Sequence, residues 1–374
     1  MRIRSPRSHV RILTLLVLLV SSALSGCLGD ETTTPAEVVE EQVAEPDLVA
    51  PDGRDLATEL TAEDELPAPV WRVGDWWGLH FYFGSDPGNG NHVNAVVTES
   101  ASDEHYLATD DQQVAKFQAL RDLPVLGAIG ADDLSSTGFG GDWDLLEFPL
   151  KDGATWTGEI PNIAFDILPE GQVPIDFTAT YVSEIDIDGK SAPGYVVEGM
   201  TEDGTLIVSY TYAPAVRWFT SLTVYDIDPE QDPLEFTVML MGHGRDWIGT
   251  YYIDEATVLV ENFDGSGFTD VPTEGGEPFA SVSPHVTFTV SAEATYVFGF
   301  VGNVAVFGAR TTILFPPEGD PRHYEAVGAP EQGVGTRIDE PAIAGEWRLV
   351  TAGAGAATFS EVFLVGLVET TGTL

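Results

Sequence analysis

Six histidines follow the first 26 residues, at positions 80, 92, 105, 243, 285 and 323. No two of them share the i, i+4 spacing or the H-E-x-x-H frame by which zinc enzymes place two imidazoles on one helix face. His80, His92 and His105 are the one trio that neighbouring strands could gather. Histidines scattered in this way are ordinarily surface residues or satisfied core residues, so the sequence assigns no metal and no cofactor. A serine nucleophile lacks its G-x-S-x-G elbow, because Gly265-Ser266-Gly267 reads as a linker. Asp226-Ile227-Asp228 with Asp232 faintly resembles a calcium loop, but the sixth-position glycine is missing and Thr237 stands where a twelfth-position glutamate would bind. With 60 acidic residues in the chain, a pair of carboxylates is no sign of acid/base catalysis, although a glycosidase needs only two. No catalytic residue is assigned.

Tryptophan is the more informative side chain. Seven of the eight (71, 76, 77, 143, 156, 218 and 247) fall between residues 67 and 262. In a strand the adjacent pair Trp76-Trp77 must point to opposite faces, one ring to the core and the other outward or into a groove. Trp76, Trp77, Trp143 and Trp218 are therefore the candidate lining of a cleft for a glycan or an apolar ligand, set against their use as plain core.

The only cysteine, Cys27, ends a segment with the three parts of a secretory signal: Arg2, Arg4, Arg7 and Arg11, then the apolar run Ile12 to Val20, then small residues. Nine residues rise about 13 Å as a helix, too short to cross a hydrocarbon core. A single cysteine excludes an internal disulfide, so the thiol reads as an attachment point. Leu24-Ser25-Gly26-Cys27 resembles the lipobox of prokaryotic lipoproteins. The resemblance implies a signal peptide over residues 1–26, a thioether lipid on Cys27, and a chain held at the extracytoplasmic face of the cell membrane. No anchor is expected after Val368.

The formal net charge is −44, and the leader contributes only arginines to it. That balance excludes nucleic acid, whose phosphates are met by clustered Lys and Arg. It also disfavours docking on anionic headgroups, leaving the lipid as the membrane contact. Lys116, Lys151 and Lys190 are the only lysines. An acid-rich, lysine-poor surface of this kind resembles proteins of salt-adapted archaea, where screening weakens self-repulsion. The leader lacks the adjacent arginine pair of twin-arginine signals, which points to a moderately salt-adapted or marine source.

Residues 27–66 read as a disordered acidic tether: from residue 30 they hold thirteen acidic residues, one arginine and no aromatic residue. From 67 to 262 the pattern predicts a large antiparallel β domain, with runs at Trp76–Phe83, Val93–Thr98, Ile175–Ile187, Leu206–Tyr212, Val216–Ile227 and Leu234–Met241. Asp188-Gly189 is a good hairpin turn, and Asp111–Leu120 its one helix. The segments Val73–Trp77, Phe148–Trp156 and Tyr212–Phe219 are similar to a recurrent β domain of prokaryotic cell-surface lipoproteins, with Arg217 departing from it where a small residue is expected. After a linker at 263–277, residues 278–374 predict a β-sandwich from short strands without helix or cysteine. Ala344–Leu349 and the last apolar strand resemble the small jelly-roll sandwiches appended to secreted prokaryotic proteins, which implies an accessory module. The chain as a whole reads as an all-β, lipid-anchored surface protein that binds a glycan, an apolar ligand or an envelope protein. A surface hydrolase using carboxylates and a purely structural envelope component are the alternatives.

Overall fold

The computed structural model describes residues 48–374 except 84–86, 122–123, 138–141, 162–171, 226–235, 265–268, 273–277, 284, 306–308, 328–333 and 355–356. The leader, Cys27 and most of the expected tether lie outside the described residues. So do Asp226–Asp232 and the glycine-rich stretches at 265–267 and 275–276. The described residues are all-β with antiparallel sheets, and they divide into two compact units: 48–251 with 371–374, and 252–370.

The larger unit contributes strands β1 (Trp76–Phe83), β2 (Asn91–Ser100), β3 (Glu104–Thr109), β4 (Gly127–Gly130), β5 (Ser136–Thr137), β6 (Thr155–Pro161), β7 (Gln172–Ile187), β8 (Lys190–Met200), β9 (Leu206–Ala213), β10 (Trp218–Val224) and β11 (Phe236–Gly244). They hydrogen-bond in the order β6-β7-β8-β9-β10-β11-β1-β2-β3-β4-β5. The β7–β8 hairpin turns on Asp188 and Gly189, with φ of 53° and 75°, the two positive angles that an Asp-Gly connection tolerates. A helix at Gln112–Arg121 follows β3, and the Asp111 carboxylate caps it by accepting from the Gln113 and Val114 amides.

One face of this sheet buries alternate residues, among them Trp77, Leu79 and Phe81 of β1 and Ile175, Phe177 and Ala179 of β7. Much of the apolar partner surface comes from irregular chain. Leu145, Leu146 and Leu150 join the same cluster, and so do Leu48, Ala50, Leu56, Leu60 and Leu66. The expected disorder up to residue 66 is corrected accordingly, since residues 48–66 form an ordered strap. Its turns close on the Ala50 amide donating to the Arg54 carbonyl and the Leu56 amide to the Leu48 carbonyl, each at 2.9 Å. A one-turn helix, Leu56–Glu59, follows under an Asp55 cap. Leu66 and Leu150 exchange two 2.8 Å backbone bonds, and Tyr181 Oη donates to the Leu60 carbonyl. Composition alone suggested disorder because the apolar side chains of the strap follow neither a helix period nor a strand period.

Arg54 forks onto Asp64 at 2.6 and 2.9 Å, and these hydrogen bonds hold the Asp64 carboxyl below the usual carboxylate range. A carboxylate with a depressed folded-state pKa contributes stability above its unfolded value of about 4, and that contribution is lost as pH falls through the folded value. Acid should therefore loosen the strap. Exchange protection of the Ala50 and Leu56 amides is expected to fall below about pH 4 while the amides of the β7–β8 hairpin stay protected. Equal loss in both places would contradict this.

The smaller unit is entered through β12 (Ile248–Asp264) and holds β13 (Thr269–Pro272), β14 (Pro278–Val282), β15 (Val286–Val290), β16 (Tyr296–Ala305), β17 (Ala309–Phe315), β18 (Arg322–Val327), β19 (Val334–Pro341), β20 (Gly345–Ala354) and β21 (Ala357–Thr373). One layer runs β19-β16-β21, and the other β13-β14-β20-β17-β18 with β15 also on β20. Val286, Phe288, Leu314, Trp347 and Leu349 from the second layer meet Val297, Val301, Ile338, Val362 and Leu364 from the first in one core, which is the sandwich expected for the C-terminal part. Its limits differ from the reading of 278–374. The unit begins at Tyr252, inside a strand, and the expected linker at 263–277 contains β13.

Candidate functional site

Strand alternation separates the tryptophan pair of β1 as expected: Trp77 is fully buried and Trp76 half-buried on the other face. Trp143 and Trp218 are buried too. A cleft lined by Trp77, Trp143 and Trp218 is thus replaced by a core, and Trp76 alone of the four keeps an accessible ring.

The core cluster is built from Trp71, Trp77 and Trp218, with ring centroids 4.7–5.9 Å apart. The turn at 213–217 closes over it. Trp77 Nε1 donates to the Val216 carbonyl at 2.8 Å and Trp71 Nε1 to the Arg217 carbonyl at 3.0 Å, so consecutive peptide groups take up two buried indoles. Arg217 adopts a left-handed backbone, φ 59°, uncommon for a residue with a side chain. Its guanidinium makes a bidentate pair with Asp75 at 2.8 and 3.1 Å, and Arg245 stands 3.5 Å from the same carboxylate. Asp75 also accepts from the Arg72 amide. This accounts for the arginine that interrupts the expected small-residue turn: its side chain ties the turn to the residue preceding the tryptophan pair.

On the opposite face Trp76 meets Trp247 at 5.9 Å, near T-shaped at 62°. The Trp247 amide donates to the Gly74 carbonyl, which carries this loop against the start of β1. Gly244 lies directly beneath Trp76, where a Cβ would stand 2.7 Å from the indole nitrogen, so the ring can lie flat on the strand. Of the residues flanking the two tryptophans in the chain, Ile248 is 75% exposed and Val73 45% exposed. Trp76 and Trp247 together form an accessible aromatic patch. Trp247 was legible only as one of several tryptophans, since nothing in its spacing from Trp76 signals the contact.

The three histidines are divided by the same alternation. His105 is buried against Trp71, 5.2 Å between centroids, and burial lowers its pKa against the pull of the Asp75 charge. His80 and His92 pair across β1 and β2 with ring centroids 4.3 Å apart and planes tilted 30°. Burial and the neighbouring His80 lower the pKa of His92. Among the described residues no group of three or more His, Cys, Asp and Glu side chains converges.

An open depression at the β7 and β9 ends is lined by Val173, Pro174, Ile207 and the turn Thr201, Glu202, Asp203 and Thr205. The Asp203 carboxyl is held below its ordinary value by the Thr201 hydroxyl and by Thr205, so it builds the turn rather than donating a proton.

No family model matches the chain, and no curated protein matches it in sequence. Among solved structures it is distantly similar to an exo-β-1,3-galactanase from Phanerochaete chrysosporium, at 8% identity over 74% of this chain and 78% of that one, TM-score 0.18. A Cry1Da tryptic core variant from Bacillus thuringiensis shares 8% identity over 81% of this chain and 53% of that one, TM-score 0.19. Likeness at this level carries no argument about activity.

Proposed function

We propose that this protein is a lipid-anchored, extracytoplasmic surface protein that binds its partner without transforming it, through the patch formed by Trp76 and Trp247. The carrying observation is the half-buried Trp76–Trp247 pair on the face away from the core. Accessible tryptophans contribute strongly to recognition because each offers a large rigid apolar surface at small entropic cost. A neutral glycan fits best: its C–H faces stack on indole, while the acidic excess of the chain repels anionic sugars. The anchor follows from Leu24-Ser25-Gly26-Cys27 behind an apolar run.

Two measurements test this. Cys27→Ser is expected to move the protein from the membrane to the soluble fraction or to leave its leader uncleaved. A cleaved variant that still pellets with membranes after a high-salt wash would remove the anchor. On an array of neutral oligosaccharides, binding by the full chain is expected to be lost in Trp247→Ala, with a stability cost of only about 1–2 kcal/mol that leaves the protein folded at the assay temperature. Binding that survives this substitution would remove the patch.

A further inference from the structure

We propose that His80, His92 and Met239 form a binding site for a monovalent copper ion. The three residues lie side by side across three strands of one sheet. His80 pairs with His92 of β2 on one side and with Met239 of β11 on the other, so all three side chains leave the same face. Directly opposed residues of antiparallel neighbours have Cβ atoms about 5 Å apart, within reach of a shared ion. Tyr82, two residues along β1 on this face, holds the thioether there, its hydroxyl 3.9 Å from Met239 Sδ.

His80 is prepared as a ligand. Its Nε2 lies 2.8 Å from the Pro87 carbonyl and must donate to it, which leaves Nδ1 with the lone pair in the neutral ring. That Nδ1 is shut off from solvent and has no partner in the protein, while the side chain is 9% exposed. A buried acceptor left unmatched costs roughly 1–3 kcal/mol, and such groups in native proteins ordinarily have a reason. A ring nitrogen bonded to a backbone carbonyl, with the other nitrogen free, is the usual outer-shell arrangement of a metal-binding histidine. The ring is held under the 87–90 turn, where only glycine fits at 90: a Cβ there would stand 2.3 Å from His80 Cε1. At metal–nitrogen distances of about 2 Å, two imidazoles on one ion have centroids roughly 5–6 Å apart, so the exposed His92 ring would swing outward from its 4.3 Å stack on His80 when the ion binds.

The donor set selects the ion. Two imidazoles and a thioether, with no carboxylate or thiolate among them, favour a soft monovalent cation over zinc, calcium or magnesium. Met239 is 40% exposed and His92 is exposed, which gives an ion a way in. The acidic excess of the chain raises the local concentration of any cation.

The test is anaerobic titration of the full chain, carrying Cys27→Ser to remove the only thiol, with Cu(I) in competition with a chromophoric chelator. One ion per chain is expected, with nitrogen and sulfur scatterers in X-ray absorption. His92→Ala and Met239→Leu, both at exposed positions, should each weaken binding at least about tenfold while leaving the metal-free melting curve in place, and Met239→Leu should also remove the sulfur signal. Binding by the parent no tighter than by the His92→Ala/Met239→Leu double variant, or a bound ion without sulfur scattering, would overturn the proposal.

Discussion

Replacing Asp75 by alanine is expected to remove about 3–5 kcal/mol of folding stability, because it leaves the Arg217 guanidinium buried without its counter-charge. The carboxylate is 1% exposed and answers two arginines and one amide, so no water stands ready to replace it. Urea denaturation of the parent and the variant measures the difference. Removing both partners has a different cost: Asp75→Leu with Arg217→Met deletes the charges together, and such apolar replacement of a buried pair is often neutral. The double variant is therefore expected to recover most of the loss. A single variant within about 1 kcal/mol of the parent would show that the pair is solvated in solution.

Trp77→Ala is expected to cost about 3–5 kcal/mol through lost burial and the cavity left between Trp71 and Trp218. It also strands the Val216 carbonyl that accepts the indole proton. Trp76→Ala, one residue away, removes a half-buried ring lying over glycine and should cost about 1–2 kcal/mol. Paired melts of the two variants test the alternation directly. On the proposed reading Trp76→Ala also lowers retention on neutral glycans, and Trp77→Ala does so only in step with unfolding. Equal destabilisation by both, with no change in binding, would reduce the patch to a second layer of core.

Strand runs and turn chemistry were legible because each is a local signal. Trp76–Phe83 and Val286–Val290 coincide with β1 and β15, and Asp188-Gly189 turns the β7–β8 hairpin. The short strands β3 and β4 carry too few β-branched or aromatic residues to announce themselves, and β6, which has them in Thr155, Trp156, Thr157 and Ile160, is broken by Gly158 and closed by Pro161. Val216 and Arg217, read as the start of a strand, belong to the turn over the indoles, and β10 begins at Trp218. The strap at 48–66 was hidden because its order comes from long-range contacts such as Leu66 with Leu150. The candidate site was half legible: alternation separates Trp76 from Trp77, but it says nothing about Trp247 or about which histidines meet. Those pairings depend on register across strands distant in the chain, which is set by the whole sheet.

The strap has a mechanical consequence. A pull applied ahead of residue 48 would first load the small loop closed by Leu48 with Leu56 and Ala50 with Arg54, then the Arg54–Asp64 fork, and only then the Leu66–Leu150 pair at the edge of the core. The first two closures are local and can yield while the strand pairings of β1–β11 stay intact, at the cost of drawing Leu48, Ala50, Leu56 and Leu60 out of the core. Eighteen residues drawn straight release roughly 60 Å of chain. The strap would act as a fuse and an extension reserve, relieving shear on the protein before its sheet is strained.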